Sequence, residues 1–325
     1  MNLRATLTVP TRPVVAPAPR SADPPSEARV GVLYATAAYG LWGVFPVYFK
    51  LVATVPALEV LAHRIIWSLV FLLGLLLARH RLRGALSVLR DRRTLITLGL
   101  TTLLIATNWL LFIWAVTHDL VLQASLGYFI NPLVSVLLGF LFLRERLRRW
   151  QTAAVVLAGL GVGCMTLLAG QFPGLALYLA VSFGLYGLLR KVARVESLVG
   201  LAVETGLLTP LALGFLVTQM IRGQAVFGAG STELSLLLML AGVITATPLL
   251  AFTAAARRLR LATLGFLQYL APTGHFLLAV LAFGEPFTRG HLATFACIWA
   301  ALAIYSIDTL KGARRTPAVT PPTLE

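Results

Sequence analysis

The stretch Glu59-Val60-Leu61-Ala62-His63-Arg64 sets three ionisable side chains at the head of an apolar run. In hydrocarbon a charged side chain costs about 2.5–3.5 kcal/mol on insertion scales, so each must have a reason to be there. Glu59 and His63 are four residues apart and share a helix face, with Trp67 one turn deeper. Arg64 is turned about 100° from His63 and needs a different partner. Two readings are open. One is a proton-titratable Glu59–His63 pair with an anion-binding Arg64 facing a cavity. The other is an ion cluster that joins helices. Glu204 is a further acid in an apolar run, with no charged neighbour in its own helix. Asn108, Trp109, Asn131, Gln268, Tyr269 and His275 add polar groups that can bond a neighbouring helix or a cargo. Tyr39, Trp42 and Pro46 fall on about one helix face, where the rings can stack on a ligand or pack. Pro46, Pro132, Pro248 and Pro272 each remove an amide donor and strain the turn before them, which makes them candidate hinges.

The runs that must position these groups are long. Of 325 residues, 58% are hydrophobic and 12% charged, against about a quarter charged in an ordinary soluble domain. The spacing predicts ten helical spans, at roughly 30–49, 57–78, 94–116, 121–143, 150–169, 172–189, 198–218, 234–256, 262–283 and 289–309. Continuous apolar runs exclude a β-barrel, whose strands would alternate.

The net charge of +15 does not point to nucleic acid, because the basic residues are not in one patch. Loops 79–93, 144–149, 190–197 and 257–261 and the two tails hold 23 of the 27 basic residues. This alternation fits an even number of spans with both termini cytoplasmic. Residues 1–29 and 310–325 read as disordered cytoplasmic tails. Cys164 and Cys297 lie in apolar runs and read as packing thiols. The histidines lack ligand spacing, so no metal or other cofactor is expected, and no catalytic triad or P-loop is present. Any pumping therefore draws on an ion gradient or a partner.

The chain also repeats itself. Tyr128-Phe129-Ile130-Asn131-Pro132 leads to Glu145, and Gln268-Tyr269-Leu270-Ala271-Pro272 leads to Glu285; each Pro is 13 residues before its Glu. Leu33–Gly43 resembles Leu177–Gly187 at an offset of 144, and Glu59 finds Glu204 at 145. Matches in one order at nearly one offset indicate an internal duplication. Five helices is an odd number, so copies at 30–169 and 172–309 have opposite orientations, an arrangement found in many secondary transporters. Glu145 and Glu285 fall at span ends and read as loop or gate residues. Gly159-Leu160-Gly161-Val162-Gly163 contains GxxxG, which permits close helix approach within the bundle or in a dimer.

Several stretches together resemble one known family. They are Ala38–Gly43, Glu59–Ser68, Asn108–Val116, Ala124–Leu133, Phe252–Leu261 and Thr263–Tyr269. The chain resembles the EamA branch of the drug/metabolite transporter superfamily, in its RarD subfamily, over essentially all of residues 30–309. The resemblance implies an all-α polytopic permease of the plasma (bacterial inner) membrane that exports small organic metabolites or drugs, with a link to chloramphenicol. Gly274 and His275 depart from the pattern, where a larger residue and an apolar one are expected.

The expectation is a non-enzymatic secondary transporter, monomeric or homodimeric, whose partners are a small-molecule substrate and the bilayer. Its expected substrate-binding residues are Tyr39, Trp42, His63, Arg64, Asn108, Trp109, Asn131, Gln268 and Tyr269. Glu59, His63 and Glu204 are the candidates for proton coupling. The alternative is a membrane enzyme acting on lipid or polyprenyl intermediates, which would cluster its catalytic residues at one membrane face.

Overall fold

The computed structural model describes residues 25–143, 147–170, 172–193, 195–229, 231–256, 258–259, 263–264 and 267–315. Among them every regular element is helical. In hydrocarbon a helix is the element that satisfies its backbone groups within a single segment.

The helices are α1 (Pro25–Gly43), α2 (Phe45–Leu51), α3 (Ala57–Ala78), α4 (Leu82–Arg90), α5 (Arg92–Thr117), α6 (Val121–Leu143), α7 (Arg149–Ala169), α8 (Gly174–Ala193), α9 (Ser197–Ile221), α10 (Thr232–Ala256), α11 (Leu270–Leu277) and α12 (Arg289–Arg315). A π-helical turn, Leu278–Ala282, continues α11. Eight stretches, the joined α1–α2 pair among them, are long and apolar enough to cross a membrane; Gly174–Arg190 and Leu270–Ala282 are shorter apolar helices.

Polarity is arranged inside out. Leu211 is 71% exposed, and Leu160, Leu281 and Ile221 also face outward. Glu59, Arg64, Asn108, Ser125, Glu204 and His275 are buried. A water-soluble domain would reverse this, so the outer surface is built for lipid.

Three features depart from the expected spans. The arginine-rich segment 79–93 contains α4, whose Ala85 belongs to a buried cluster with Leu76 and Val199. The first span breaks at Val44, and Pro46 sits in the first turn of the new helix, where its missing N–H has no partner to lose. The helices also run into both expected tails, from Pro25 and to Arg315. Pro25 can occupy a helix's first turn, and Ile304 and Tyr305 near the other end pack on the main core. The outer parts of both tails, and Glu145, lie outside the described residues.

Pro132 and Pro248 lie inside α6 and α10, and Pro272 near the start of α11. Pro210 inside α9 is a further one. Among the five-residue glycine run, Gly161 makes the close approach, with its Cβ position 3.0 Å from Cys297 Cβ and 3.2 Å from the Thr294 carbonyl. Gly159 and Gly163 face open space. Cys164 and Cys297 are free thiols.

Candidate functional site

Arg64 is the centre of the buried polar groups. It lies about 10 Å along α3 from its N-terminal end. Its guanidinium Nε donates to Thr245 Oγ1 of α10 at 2.9 Å. Its Cζ lies 4.2 Å from the Trp109 ring of α5 and 5.9 Å from the Phe49 ring of α2. Tyr48 and Tyr128 lie within electrostatic reach of the same charge. Among the described residues no carboxylate forms an ion pair with it. The side chain is 6% exposed, so this is a buried cation held by rings and one hydroxyl.

A separate hydrogen-bonded chain runs through Tyr128. Tyr128 of α6 donates to Asn108 Oδ1 at 3.3 Å, and Asn108 Nδ2 donates to the Leu179 carbonyl and Ser182 Oγ of α8. Tyr48 donates to the Leu237 carbonyl at 2.9 Å. His275 of α11 packs on Phe112 and Tyr128, and its Nε2 pairs with the Trp42 carbonyl at 2.9 Å. Its Nδ1 is buried without a partner among the described residues, as is Asn131 Oδ1. The sequence departure at Gly274 also has a packing reason. A Cβ there would sit 2.9 Å from Gly43 Cα, so α1 and α11 touch through two glycines.

The bundle end at the start of α3 is latched. Glu59 Oε1 accepts from the Val226 amide at 2.9 Å, which fastens the segment between α9 and α10. Phe227 then covers His63, with ring centroids 4.8 Å apart, and lies 6.4 Å from Trp67. Glu59 and His63 share a face but are not bonded: Glu59 holds the loop, while His63 Nε2 has no partner among the described residues. Lys50 pairs with Asp119, and Glu285 accepts from the Val121 and Leu122 amides at 2.7 and 2.8 Å. Glu285 therefore caps α6 from the end of the π-turn, as a loop anchor rather than a cargo ligand. Glu285→Ala would strand two buried amides. We expect it to lower stability by about 1–3 kcal/mol, read as an earlier thermal transition in detergent.

The opposite end has its own cluster. Glu204 receives a hydrogen bond from Thr101 Oγ1 at 2.6 Å and one from Tyr186 at 3.2 Å, and Arg190 Nε lies 3.7 Å from its Oε1. This ties α5, α8 and α9 together. Gly200 makes room for it, since a Cβ there would overlap the Arg190 guanidinium.

The structure thus brings Arg64, Trp109 and Asn108 into one connected region, and His63 lies one residue before Arg64, under the loop between α9 and α10. Tyr39 and Trp42 form an aromatic group with Phe252, joined to that region through His275. Tyr269 stacks on Phe129. Gln268 is half-buried. Thr245, Tyr48, Ser182, Phe227 and Arg190 were not singled out by the sequence; a lone threonine or phenylalanine in an apolar helix or loop carries no signal. An apolar cleft of about 230 Å³ between α3, α5 and α9, lined by Leu58, Ile65, Leu110 and Phe215, has almost no polar wall and is lined by none of these groups.

Comparison with known proteins agrees with this picture. The pattern of the EamA-like transporter family matches residues 29–167. An uncharacterized transporter of Vibrio cholerae is 48% identical over 285 residues, covering 88% of this chain and 94% of that protein. Protein RarD of Escherichia coli is 47% identical over 290 residues, covering 89% and 98%. The chloramphenicol-sensitive protein RarD of Pseudomonas aeruginosa is 35% identical over 289 residues, covering 88% and 96%. A crystal structure at 21% identity shares the fold, with a TM-score of 0.54 over 87% of this chain and 98% of that one. The protein is a multi-pass membrane protein, in bacteria of the inner membrane, and the chain belongs to the EamA-like transporter family, among its RarD members.

Proposed function

We propose that the chain is a secondary active transporter that exports small organic metabolites or drugs by alternating access. The halves are inverted five-helix repeats, residues 30–169 and 172–309, giving ten spans with both termini cytoplasmic. One observation carries the reading: the main helix contacts come in pairs that exchange under the repeat. With α1–α2, α3, α5, α6 and α7 matched to α8, α9, α10, α11 and α12, the contact of α1 with α10 mirrors that of α8 with α5. The contact of α6 with α8 mirrors that of α11 with α1, and α3 with α10 mirrors α9 with α5. The pairs α3–α9, α6–α11 and α7–α12 map onto themselves. Such a two-fold arrangement gives two equivalent ways to close, one at each face.

The two matched glutamates fit the two closures. Glu59 latches the outer loop, and Glu204 holds the cluster at the other end. The cargo binds between them, at Arg64, Trp109, Asn108 and Asn131 with Tyr39 and Trp42 on one flank. Gln268 and Tyr269 belong to the mobile α11 region, and Pro46, Pro132, Pro248 and Pro272 act as hinges. Coupled protons are carried by His63 or Glu204, with Glu59 as the outer latch.

Metabolite profiling of medium from deletion and overexpression strains, followed by uptake into inverted vesicles, tests the reading. Chloramphenicol belongs in the panel because one relative's name carries it. A species exported on overexpression and accumulated by the vesicles is expected, with its pH-gradient dependence lost in His63→Ala or Glu204→Gln. No transported species in either assay would favour the enzyme alternative. Full gradient dependence in both variants would end the coupling assignment.

A further inference from the structure

We infer that the cargo is an organic acid: a carboxylate on a flat apolar body, received by the free edge of the Arg64 guanidinium. This rests on the transporter reading and adds the chemical class. A guanidinium offers five N–H donors in a planar fork. Among the described residues its hydrogen bond is the one from Nε to Thr245 Oγ1. The Trp109 ring, its centroid 4.2 Å from Cζ, takes up none of these donors in a described hydrogen bond. The end-on pair, Nη1 and Nη2, is therefore the edge left for a ligand, and two parallel N–H groups match a carboxylate in a bidentate pair.

The missing acid is the informative point. Each other buried or half-buried arginine with a described ion pair has a protein carboxylate, as Arg190 has Glu204 and Arg258 has Glu27. Arg64 is more buried than Arg190 or Arg258 and has none. A buried cation whose counter-ion is absent from the protein is held ready for one that arrives with the cargo. The same charge repels a cationic cargo.

The rest of the lining describes the cargo's body. Phe49, Trp109, Phe112 and Tyr128 are rings around the charge, and Tyr48 and Tyr128 carry hydroxyls toward it. Two buried acceptors without partners, His275 Nδ1 and Asn131 Oδ1, lie on the facing repeat-matched helices α11 and α6. They can take a hydroxyl or amide proton from the far end of the molecule; His275 Nδ1 does so as the tautomer whose Nε2 donates to the Trp42 carbonyl. A purely structural Arg64, braced by Thr245 and Trp109, would show no preference among ligands.

Matched probes separate these accounts. Phenylacetate and phenylacetamide have the same shape and differ in charge, and benzyltrimethylammonium supplies the cation. Binding to the purified full-length protein is measured by calorimetry in detergent at neutral pH. The wild type is expected to bind phenylacetate at least tenfold more tightly than the amide, and the cation not at all. Arg64→Gln is expected to lose at least tenfold for the acid and little for the amide, so that the preference disappears. Arg64→Lys keeps the charge without the fork and is expected to fall between. The wild-type comparison needs no variant to fold. Equal binding of acid and amide, tighter binding of the cation, binding of neither, or an unchanged preference in Arg64→Gln would overturn the inference. If vesicles still accumulate another species in that case, the transporter reading stands; if they accumulate none, both fall.

Discussion

One added methyl group at Gly242 unseats α10 from α3. A Cβ there would lie 2.5 Å from the Trp67 carbonyl carbon and oxygen and 2.9 Å from Trp67 Cβ. Backbone cannot swing aside as a side-chain tip can, so the two helices must separate. Overpacking of this kind costs about 1–3 kcal/mol, and more when the backbone itself is the obstacle. Here separation also pulls Thr245, on α10, away from Arg64 Nε. Gly242→Ala is therefore expected to unfold at least several degrees below wild type in detergent and to lose ligand binding. Gly40→Ala is the control, because no atom lies within 4 Å of its Cβ position. It removes backbone freedom from the unfolded chain without a clash and is expected to be neutral or stabilising by up to about 1 kcal/mol. Equal midpoints for the two variants would mean that α3 and α10 do not pack as closely as described.

Loss of the Glu204 carboxylate has the second large effect. Its side chain is 1% exposed and that of Arg190 is 13% exposed, so neither is rescued by water. In Glu204→Ala, Thr101 and Tyr186 lose an acceptor and Arg190 loses its counter-ion. Breaking a buried pair from one side costs about 3–5 kcal/mol, because the remaining charge is uncompensated. Removing both partners is cheaper than removing one. Glu204→Ala combined with Arg190→Ala is thus expected to regain at least 1 kcal/mol over the single variant. The comparison is made from denaturation midpoints in mixed micelles. Additive losses in the double variant would show that the pair is not coupled.

Much of the layout was legible in the sequence, and particular residues show why. Apolar run length and the alternation of arginine-rich loops predict where helices cross, since both follow from the cost of moving charge into hydrocarbon. Burial of His63, Arg64 and Glu204 followed from the same cost, whereas Glu59, expected near the membrane boundary, is fully buried. Their partners did not. Thr245 is 181 residues from Arg64, and Val226 is 167 residues from Glu59. Only the packing of α3 on α10, and the path of the loop before it, brings them together. The helical spacing of Glu59 and His63 correctly placed them on one face, but the loop amide took the carboxylate first. α4 was hidden because its apolar positions Leu82, Ala85, Leu86 and Leu89 sit among arginines that read as loop charge. The break at Val44 came two residues before the proline that marks it, Pro46. The glycine run in α7 marked a close helix approach without saying to which helix; the contact is with α12 and uses Gly161 rather than the GxxxG pair.

Alternating access about a centre at Arg64 is best tested by cysteine accessibility from each side. Thr245→Cys, in a Cys164→Ala and Cys297→Ala background, places one thiol beside the guanidinium. A membrane-impermeant maleimide is applied to spheroplasts and, separately, to inverted vesicles. The account predicts labelling from both sides. It further predicts that bridging cysteines at Glu59 and Val226 with a short crosslinker stops labelling from outside and leaves labelling from inside. A thiol that no side reaches, or outside labelling that continues after the bridge is made, would contradict it.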